Sequence, residues 1–182
     1  FYTFTFNTMG TFNKSENTIF REGTVIFVVT GTQAPFDRLL SIIDKWAVNQ
    51  DTYSIVAQMA NSEMNFTNMT CYDYLEPDIF NEYFNNAAVI IGHAGMGTII
   101  TALENEKKLV VFPRLVKYNE HRNDHQLHTA KGFEKLGLIN VAYTENELLK
   151  YLDNLQSIPK KERIDKKAEQ KLLSKISDFI NE

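Results

Sequence analysis

The sequence alternates short runs of consecutive apolar residues with longer stretches in which apolar residues recur at helical spacing. The first run, residues 25–29, is apolar at every position, as a strand buried on both faces requires. Strands are predicted at residues 25–29, 53–58, 70–74, 87–91, 109–112 and 138–142, and helices at 35–46, 77–86, 98–105, 124–136 and 145–155. The resulting order, β-α-β-β-α-β-α-β-α-β-α, predicts an α/β fold with a doubly wound parallel sheet.

The two ends of the chain differ from this regular part. Residues 1–23 alternate aromatic residues with Thr and then turn polar, which is compatible with either an extra strand or a tail. Residues 159–182 carry apolar side chains every four positions from Ile164 to Ile180, which predicts an amphipathic helix packed on the body of the protein or on a partner. The expected units are therefore an extension (1–23), one α/β domain (24–158) and a C-terminal helix (159–182).

Composition and charge restrict the function. The 182 residues are 43% hydrophobic and 12% aromatic, enough for one core of ordinary size without disulfides or metals. The formal net charge of −4 argues against a general nucleic-acid binder, which needs a basic field. Cys71 is the single cysteine and cannot form an intramolecular disulfide, so a reducing, cytoplasmic compartment is expected. No apolar run is long enough to span a bilayer.

Two predicted strands run directly into glycine-containing turns, where ligands of parallel sheets bind. The segment GHAGMGT at residues 92–98 would bring unpaired helix-start amides close to an anion, with Gly95 and Gly97 allowing the approach and Thr98 adding a hydroxyl. Alternatively, these glycines only make a tight turn and Thr98 caps the helix. The single glycine of the turn at residues 31–33 is a weaker signal of the same kind.

Polar side chains follow the fifth predicted strand. Arg114 could neutralise a phosphate or pair with a surface carboxylate. Asp124 and Gln126 could hold sugar hydroxyls, or belong to a solvated helix start that Asp124 or its neighbour caps.

Histidines are candidates in both segments. His93, directly after a strand, could donate to a ligand or satisfy nearby backbone groups. The spacing of His121, His125 and His128 would place them on one helical face, but no second group of ligand residues accompanies them, and no metal site is expected.

Three motifs in order carry a resemblance: VVTGT at residues 28–32, GHAGMGT at 92–98, and FPR at 112–114 followed by HRNDHQ at 121–126. Together they resemble the C-terminal, donor-binding domain of glycosyltransferase family 28 over about residues 24–155. The likeness is strongest to the small soluble subunits of two-subunit transferases of exopolysaccharide, capsule or dolichol-linked N-acetylglucosamine synthesis. The resemblance implies a Rossmann-like donor half of the GT-B fold that binds a UDP-sugar, without a further cofactor.

The resemblance also implies residue roles. Residues 95–98 would hold the diphosphate, and the turn at residues 31 and 32 would line the same cleft. Full-length relatives carry an acidic ribose-binding residue three positions after the loop threonine. That position is Thr101 here, and Glu104 one turn later is the alternative. The substrate-binding set implied in this way, with the sugar contacts at its end, is Gly31, Thr32, His93, Gly95, Met96, Gly97, Thr98, Arg114, Asp124 and Gln126.

The split relatives work with a partner, and this chain has no room for an acceptor-binding domain. We therefore expect a membrane-attached acceptor-binding subunit as partner, a lipid-linked acceptor, hexose transfer on the cytoplasmic face, and self-association as an option for the isolated chain. The catalytic base is unassigned, with His93 as the candidate within this chain. The alternative functions are a non-catalytic subunit that binds a sugar nucleotide or stabilises the partner, and an epimerase, which the short length disfavours.

Overall fold

The computed structural model describes residues 24–161. The predicted extension (1–23), and the predicted C-terminal helix beyond residue 161, lie outside the described residues. Within it, no helix is long and apolar enough to cross a membrane.

Six parallel strands form one sheet in the spatial order β3-β2-β1-β4-β5-β6. The strands are β1 (Val25–Val29), β2 (Ser54–Gln58), β3 (Thr70–Tyr72), β4 (Ala87–Gly92), β5 (Leu109–Val111) and β6 (Asn140–Val141). The helices are α1 (Asp37–Ala47), α2 (Pro77–Asn86), α3 (Met96–Glu104), α4 (His125–Lys135) and α5 (Glu145–Leu152). Short 3₁₀ turns lie at Val116–Tyr118 and Leu155–Ser157. The predicted doubly wound α/β fold is confirmed.

Among the helices, boundaries differ from the prediction by two residues or more at α1, α3 and α5. Helix α1 begins at Asp37 rather than at the preceding proline, and α5 ends at Leu152, with the apolar positions after it continuing as a 3₁₀ turn. Helix α3 begins at Met96, two residues before the predicted start. The early start arises because Gly95 already takes the extended conformation of an N-cap residue, with φ −78° and ψ 130°.

The side chains of β1 alternate between two hydrophobic cores, one on each face of the sheet. Val25, Phe27 and Val29 pack into one core with the inner residues of α2, α3 and α4. Ile26 and Val28 pack into the other, with α1 and α5. All five residues are buried, which explains why this strand is apolar at every position in the sequence.

The chain reverses its direction of travel across the sheet between β3 and β4. It first moves outward from β1 through β2 to β3, then returns to pair β4 with the free side of β1 and continues through β5 to β6. Because the connections after β1 and β4 lead to opposite sides, a crevice opens between them at the carboxyl edge of the sheet. The turns at residues 30–33 and 92–96, which follow β1 and β4, lie at this crevice.

Phe27 anchors the core beneath this crevice. Its ring is fully buried, stacks on Tyr83 with centroids 5.6 Å apart, and meets the ring of Phe80 edge-on at 5.2 Å. We predict that Phe27→Ala lowers the free energy of unfolding by about 3–5 kcal/mol, because the side chain leaves a cavity that rigid neighbours cannot fill. Urea denaturation measures this loss. The exposed Val48→Ala is the control, expected to stay within about 0.5 kcal/mol of the wild type.

Candidate functional site

A cleft of about 430 Å³ occupies the crevice between the turns that follow β1 and β4. The start of α4 closes its third side. The residues that line it are Gly31, Thr32, Gln33, His93, Ala94, Gly95, Met96, Gly97, Thr98, His121, His125, Gln126 and Thr129. The structure therefore brings together most of the residues that the three motifs singled out.

A larger groove, of about 670 Å³, lies where the ends of α1 and α5 meet. The indole N–H of Trp46 donates to the carboxylate of Asp153 there, at 2.9 Å. This groove lies away from the carboxyl edge, where parallel sheets bind ligands. Its size therefore does not make it the candidate site.

The glycine turn before α3 presents backbone amides to the cleft. Helix α3 has no side chain capping its start, and its first internal bond runs from the N–H of Ile99 to the carbonyl of Gly95 at 3.1 Å. The N–H groups of residues 96–98 precede that bond and have no intrahelical acceptor. Gly97 is exposed, and a Cβ added there would meet nothing within 4 Å. Free amides, a positive helix end and open space together can accommodate an anion.

The imidazole of His93 is wedged between the two turns. A Cβ on Gly31 would lie 3.0 Å from the ring, and a Cβ on Gly95 would lie 2.2 Å from Nε2. Gly31 also has φ +86°, a conformation that glycine adopts readily and other residues do not. Both glycines are therefore required by the position of one side chain, in addition to any role in ligand approach.

His93 is held in one tautomer by its backbone contact. Nδ1 lies 3.3 Å from the carbonyl oxygen of Val29, and because a carbonyl can only accept, Nδ1 carries the proton and Nε2 has a free lone pair. Burial lowers the pKa of His93 from 6.5 to about 4, with a smaller contribution from nearby Arg114. The ring is therefore neutral at pH 7. Nδ1 satisfies a backbone group, and a contact between Nε2 and a ligand stays a prediction.

Arg114 is buried against the turn after β1, with 3% of its surface exposed. Its Nη2 donates to the carbonyls of Thr30 at 2.8 Å and Ala34 at 2.6 Å, and Nη1 donates to the carbonyl of Pro35 at 2.6 Å. These bonds engage both terminal nitrogens, so the guanidinium holds the turn in place. The side chain is interior, so it does not form the ion pair with a surface carboxylate that was one of the two alternatives. A direct contact between Arg114 and a phosphate stays a prediction.

Gln126 lines the cleft and Asp124 does not. The side-chain carbonyl of Gln126 accepts the N–H of Arg114 at 3.2 Å, which leaves its NH₂ group as a donor for a ligand. Asp124 precedes α4 without capping it, and its carboxylate accepts the N–H of Val116 at 3.2 Å. In this structure Asp124 therefore shapes the loop before α4, and its contact with a sugar stays a prediction.

The three histidines do not share a helical face, because α4 begins only at His125 and His121 lies in the loop before it. His121 bonds to Asn123 through Nδ1 at 3.1 Å. Among residues 24–161 no cluster of metal-ligand side chains is present. Thr101 and Glu104, the two ribose candidates, are absent from the residues lining this cleft, so ribose recognition stays open.

The predicted substrate-binding set left out five lining residues: Gln33, Ala94, His121, His125 and Thr129, of which all but Thr129 lie in segments that the sequence analysis singled out. Thr129 lies three and four positions after two other lining residues on α4, so helical spacing could have identified it. The ion pair between Arg38 and Glu120 was also missed. Its partners are 82 residues apart, and a single sequence contains no signal that links them.

The low pKa of His93 makes stability depend on pH. The unfolded chain binds a proton at about pH 6.5 and the folded chain at about pH 4. The stabilisation is therefore present above pH 6.5 and lost as the pH falls towards 4. We predict that the wild type loses about 2–3 kcal/mol more than His93→Gln between pH 7 and pH 4, measured by urea unfolding at each pH. The exposed His128→Gln should follow the wild type, and identical slopes for wild type and His93→Gln would refute the assignment.

The two glycines of the α3 turn should respond oppositely to a methyl group. Gly95→Ala places a Cβ 2.2 Å from His93 Nε2, and we expect a loss of about 1–3 kcal/mol because the ring or the helix start must move. Gly97→Ala meets open space and should leave stability unchanged or raise it by up to about 1 kcal/mol. Thermal and urea unfolding of the pair measure the difference. Equal effects would contradict the described position of His93.

Comparison with known proteins agrees with this architecture. In the Candida albicans UDP-N-acetylglucosamine transferase subunit ALG13, 74 residues are 36% identical to this chain, covering 41% of the chain and 24% of that protein. The crystal structure of the glycotransferase of kitacinnamycin superposes with a TM-score of 0.57 at 17% identity, over 94% of this chain and 43% of that one. The solution structure of ALG13 gives 0.52 at 16% identity, over 78% and 90%.

The structural likenesses are below 25% identity, and they show a shared Rossmann-like fold of the GT-B glycosyltransferases. The sequence match to the curated ALG13 spans about a quarter of that protein's length. The family is shown separately, because the profile of the glycosyltransferase family 28 C-terminal domain matches residues 25–182, which is most of the chain. The chain therefore belongs to glycosyltransferase family 28, of which it contains the C-terminal domain.

Proposed function

We propose that this chain is the donor-binding subunit of a transferase that moves a hexose from a UDP-sugar to a lipid-linked acceptor. The observation that carries the proposal is the set of unpaired amides at the start of α3, facing a cleft at the reversal point of a parallel sheet. Such amides bind a diphosphate through hydrogen bonds and through the positive end of the helix. Membership of a glycosyltransferase family supports the choice of a sugar nucleotide as the diphosphate.

In this proposal the pyrophosphate lies over residues 96–98 and the hexose lies towards Gln126. The free NH₂ group of Gln126 then donates to a sugar hydroxyl or a phosphate oxygen. Thr32 and Gln33 are exposed on the opposite wall and can bond to the same ligand. The donor would thus be held between the turn after β1 and the start of α4.

The uracil would occupy a second groove beside the cleft. This groove, of about 330 Å³, shares Gly31, Thr32 and Thr98 with the main cleft and is otherwise lined largely by Tyr74, Leu75, Phe80 and other residues around the start of α2. Tyr74 is 58% exposed, so its ring offers a flat apolar surface to a base. A shared boundary lets one ligand extend from the diphosphate site into the groove.

The chemistry proposed for this chain is electrostatic. Departure of UDP places negative charge on the diphosphate, which the helix-start amides stabilise without a metal ion. Transfer also requires a base that removes the acceptor hydroxyl proton. With its pKa near 4, His93 is a weak base, and we assign the base to the partner. Gln126 and the amides bind and orient the donor.

The proposed partner is a membrane-attached subunit that binds the acceptor. The chain matches 24% of the curated ALG13 and 43% of the kitacinnamycin glycotransferase. ALG13 is a transferase subunit, which supports a divided enzyme. The proposed place of transfer is the cytoplasmic face of a membrane, reached through that partner.

Titration with UDP tests the donor site directly. By calorimetry we expect UDP to bind more tightly than GDP or ADP, because we assign the apolar groove beside the cleft to uracil. Gly97→Val fills the open space above the amides and should weaken binding at least about tenfold, equivalent to about 1.4 kcal/mol. Gln126→Glu replaces the NH₂ donor by a charge that repels phosphate and should weaken it similarly.

Asp153→Ala, at the opposite edge of the sheet, is the control and should bind UDP like the wild type. Equal affinity for the three nucleotides, or wild-type UDP affinity in Gly97→Val, would refute the donor-site proposal. A second outcome separates the alternative function. If the chain binds UDP, but variants altered at Gln126 and Gly97 still support normal transfer when combined with the partner subunit, the chain is a non-catalytic, partner-stabilising subunit.

A further inference from the structure

Two arginines and one carboxylate meet beside the cleft. Arg38 belongs to the first turn of α1, Arg114 follows β5, and Glu120 lies in the loop that leads to α4. Arg38 donates to both carboxylate oxygens of Glu120 along one edge of its guanidinium, from Nε at 2.6 Å and from Nη2 at 2.8 Å. The side chains are 21% and 9% exposed, so water screens this charge pair only weakly. A paired geometry of this kind is the strongest that an arginine forms with a carboxylate.

Arg38 is itself fixed by its surroundings. Its guanidinium carbon lies 4.2 Å from the ring centre of Phe112 and 4.8 Å from that of Tyr118. Nη2 also donates to the carbonyl of Pro113 at 2.9 Å. The two rings, the carbonyl and the carboxylate together hold the guanidinium of Arg38 in one orientation. Through this ion pair, Glu120 is attached to α1.

Arg114 is close to the same carboxylate but is not bonded to it. Burial lowers the pKa of Arg114, and the negative charge of nearby Glu120 is the largest of the effects that oppose this lowering. The only bond between the two residues joins Nη1 to the backbone carbonyl of Glu120, at 3.5 Å. The shorter bonds of Arg114 go to the carbonyls of Thr30, Ala34 and Pro35. Each arginine therefore has a different set of acceptors.

We propose that Arg38 is a positioning residue for the cleft. By occupying the carboxylate of Glu120, Arg38 keeps Arg114 on the carbonyls of the turn after β1. Arg114 in turn fixes the separation between that turn and Gln126, since its own backbone N–H binds the side chain of Gln126. The effect on ligand affinity rests on the proposed donor site, whereas the effect on the geometry does not.

Loss of Arg38 and loss of Glu120 should then differ. Without Arg38, a mostly buried carboxylate lacks its partner and attracts Arg114 instead, because unpaired buried charge is costly. The turn after β1 then loses its donors. Without Glu120, nothing competes for Arg114. Arg38 then loses its two carboxylate acceptors but keeps the carbonyl of Pro113, and the N–H of Leu115 loses an acceptor at 2.9 Å. An ion pair that served stability alone would show no such difference in the cleft.

The experiment compares Arg38→Ala, Glu120→Ala and the double variant, with Asp153→Ala as control. We expect Arg38→Ala to weaken UDP binding about tenfold, because Arg114 leaves the turn. Glu120→Ala and the double variant should remain within about threefold of the wild type, so the second substitution rescues the first. Arg38→Lys replaces Arg38→Ala if the latter does not fold, because lysine keeps the charge but cannot form the two-point bond to Glu120. Its UDP affinity is expected to be lower than that of Glu120→Ala.

Amide NMR of the ligand-free proteins supplies a readout independent of UDP. The Gly31 backbone amide and the Gln126 side-chain amide should shift in Arg38→Ala and return towards wild-type positions in the double variant. Additive losses of affinity, or unshifted resonances in Arg38→Ala, would overturn the proposal. If the wild type fails to bind UDP, the donor-site proposal fails, and the NMR comparison alone decides the role of Arg38.

Discussion

The parallel pairing of β1 with β4 is the contact on which the candidate site depends. The pairing places Val29 opposite Gly92, so both strands end at the same level. The carbonyl of Val29 then receives the backbone N–H of His93 at 3.2 Å as well as its Nδ1. One oxygen atom thereby sets the ring between two glycine turns, and the ring sets how closely those turns approach. The cleft and the start of α3 follow from this arrangement.

Sequence patterns predicted the parts of the molecule that local chemistry determines. The apolar run of β1 predicted a buried strand because both faces of that strand lie in a core. The glycines at residues 95 and 97 predicted a turn open to a ligand, although only Gly95 is needed for steric reasons. The start of α3 was placed two residues late, because an extended Gly95 can act as N-cap without a capping side chain.

The remaining features depend on contacts between distant residues. From its position after a strand, Arg114 was a candidate for a phosphate or a surface carboxylate, and its nitrogens bond to carbonyls 79 to 84 residues earlier in the chain. The same holds for Arg38 and Glu120. Side chains of this length reach several alternative partners, and the folded backbone selects among them. Arg38 and Arg114 both bond to acceptors of the protein, and the amides at the start of α3 add neutral backbone dipoles that can face a ligand.

The two walls of the cleft are built from different kinds of bond. The wall at β1 and β4 ends in sheet hydrogen bonds, which open only when the central strands separate. The wall at residues 114–126 is attached through side chains: Arg38 to Glu120, Arg114 to the neighbouring turn, and Gln126 to Arg114. Side-chain attachments of this kind exchange partners without unfolding the sheet. One wall of the cleft is therefore fixed by the sheet, whereas the position of the other depends on three side-chain attachments, and substitutions at those side chains act on the second wall while the sheet stays intact.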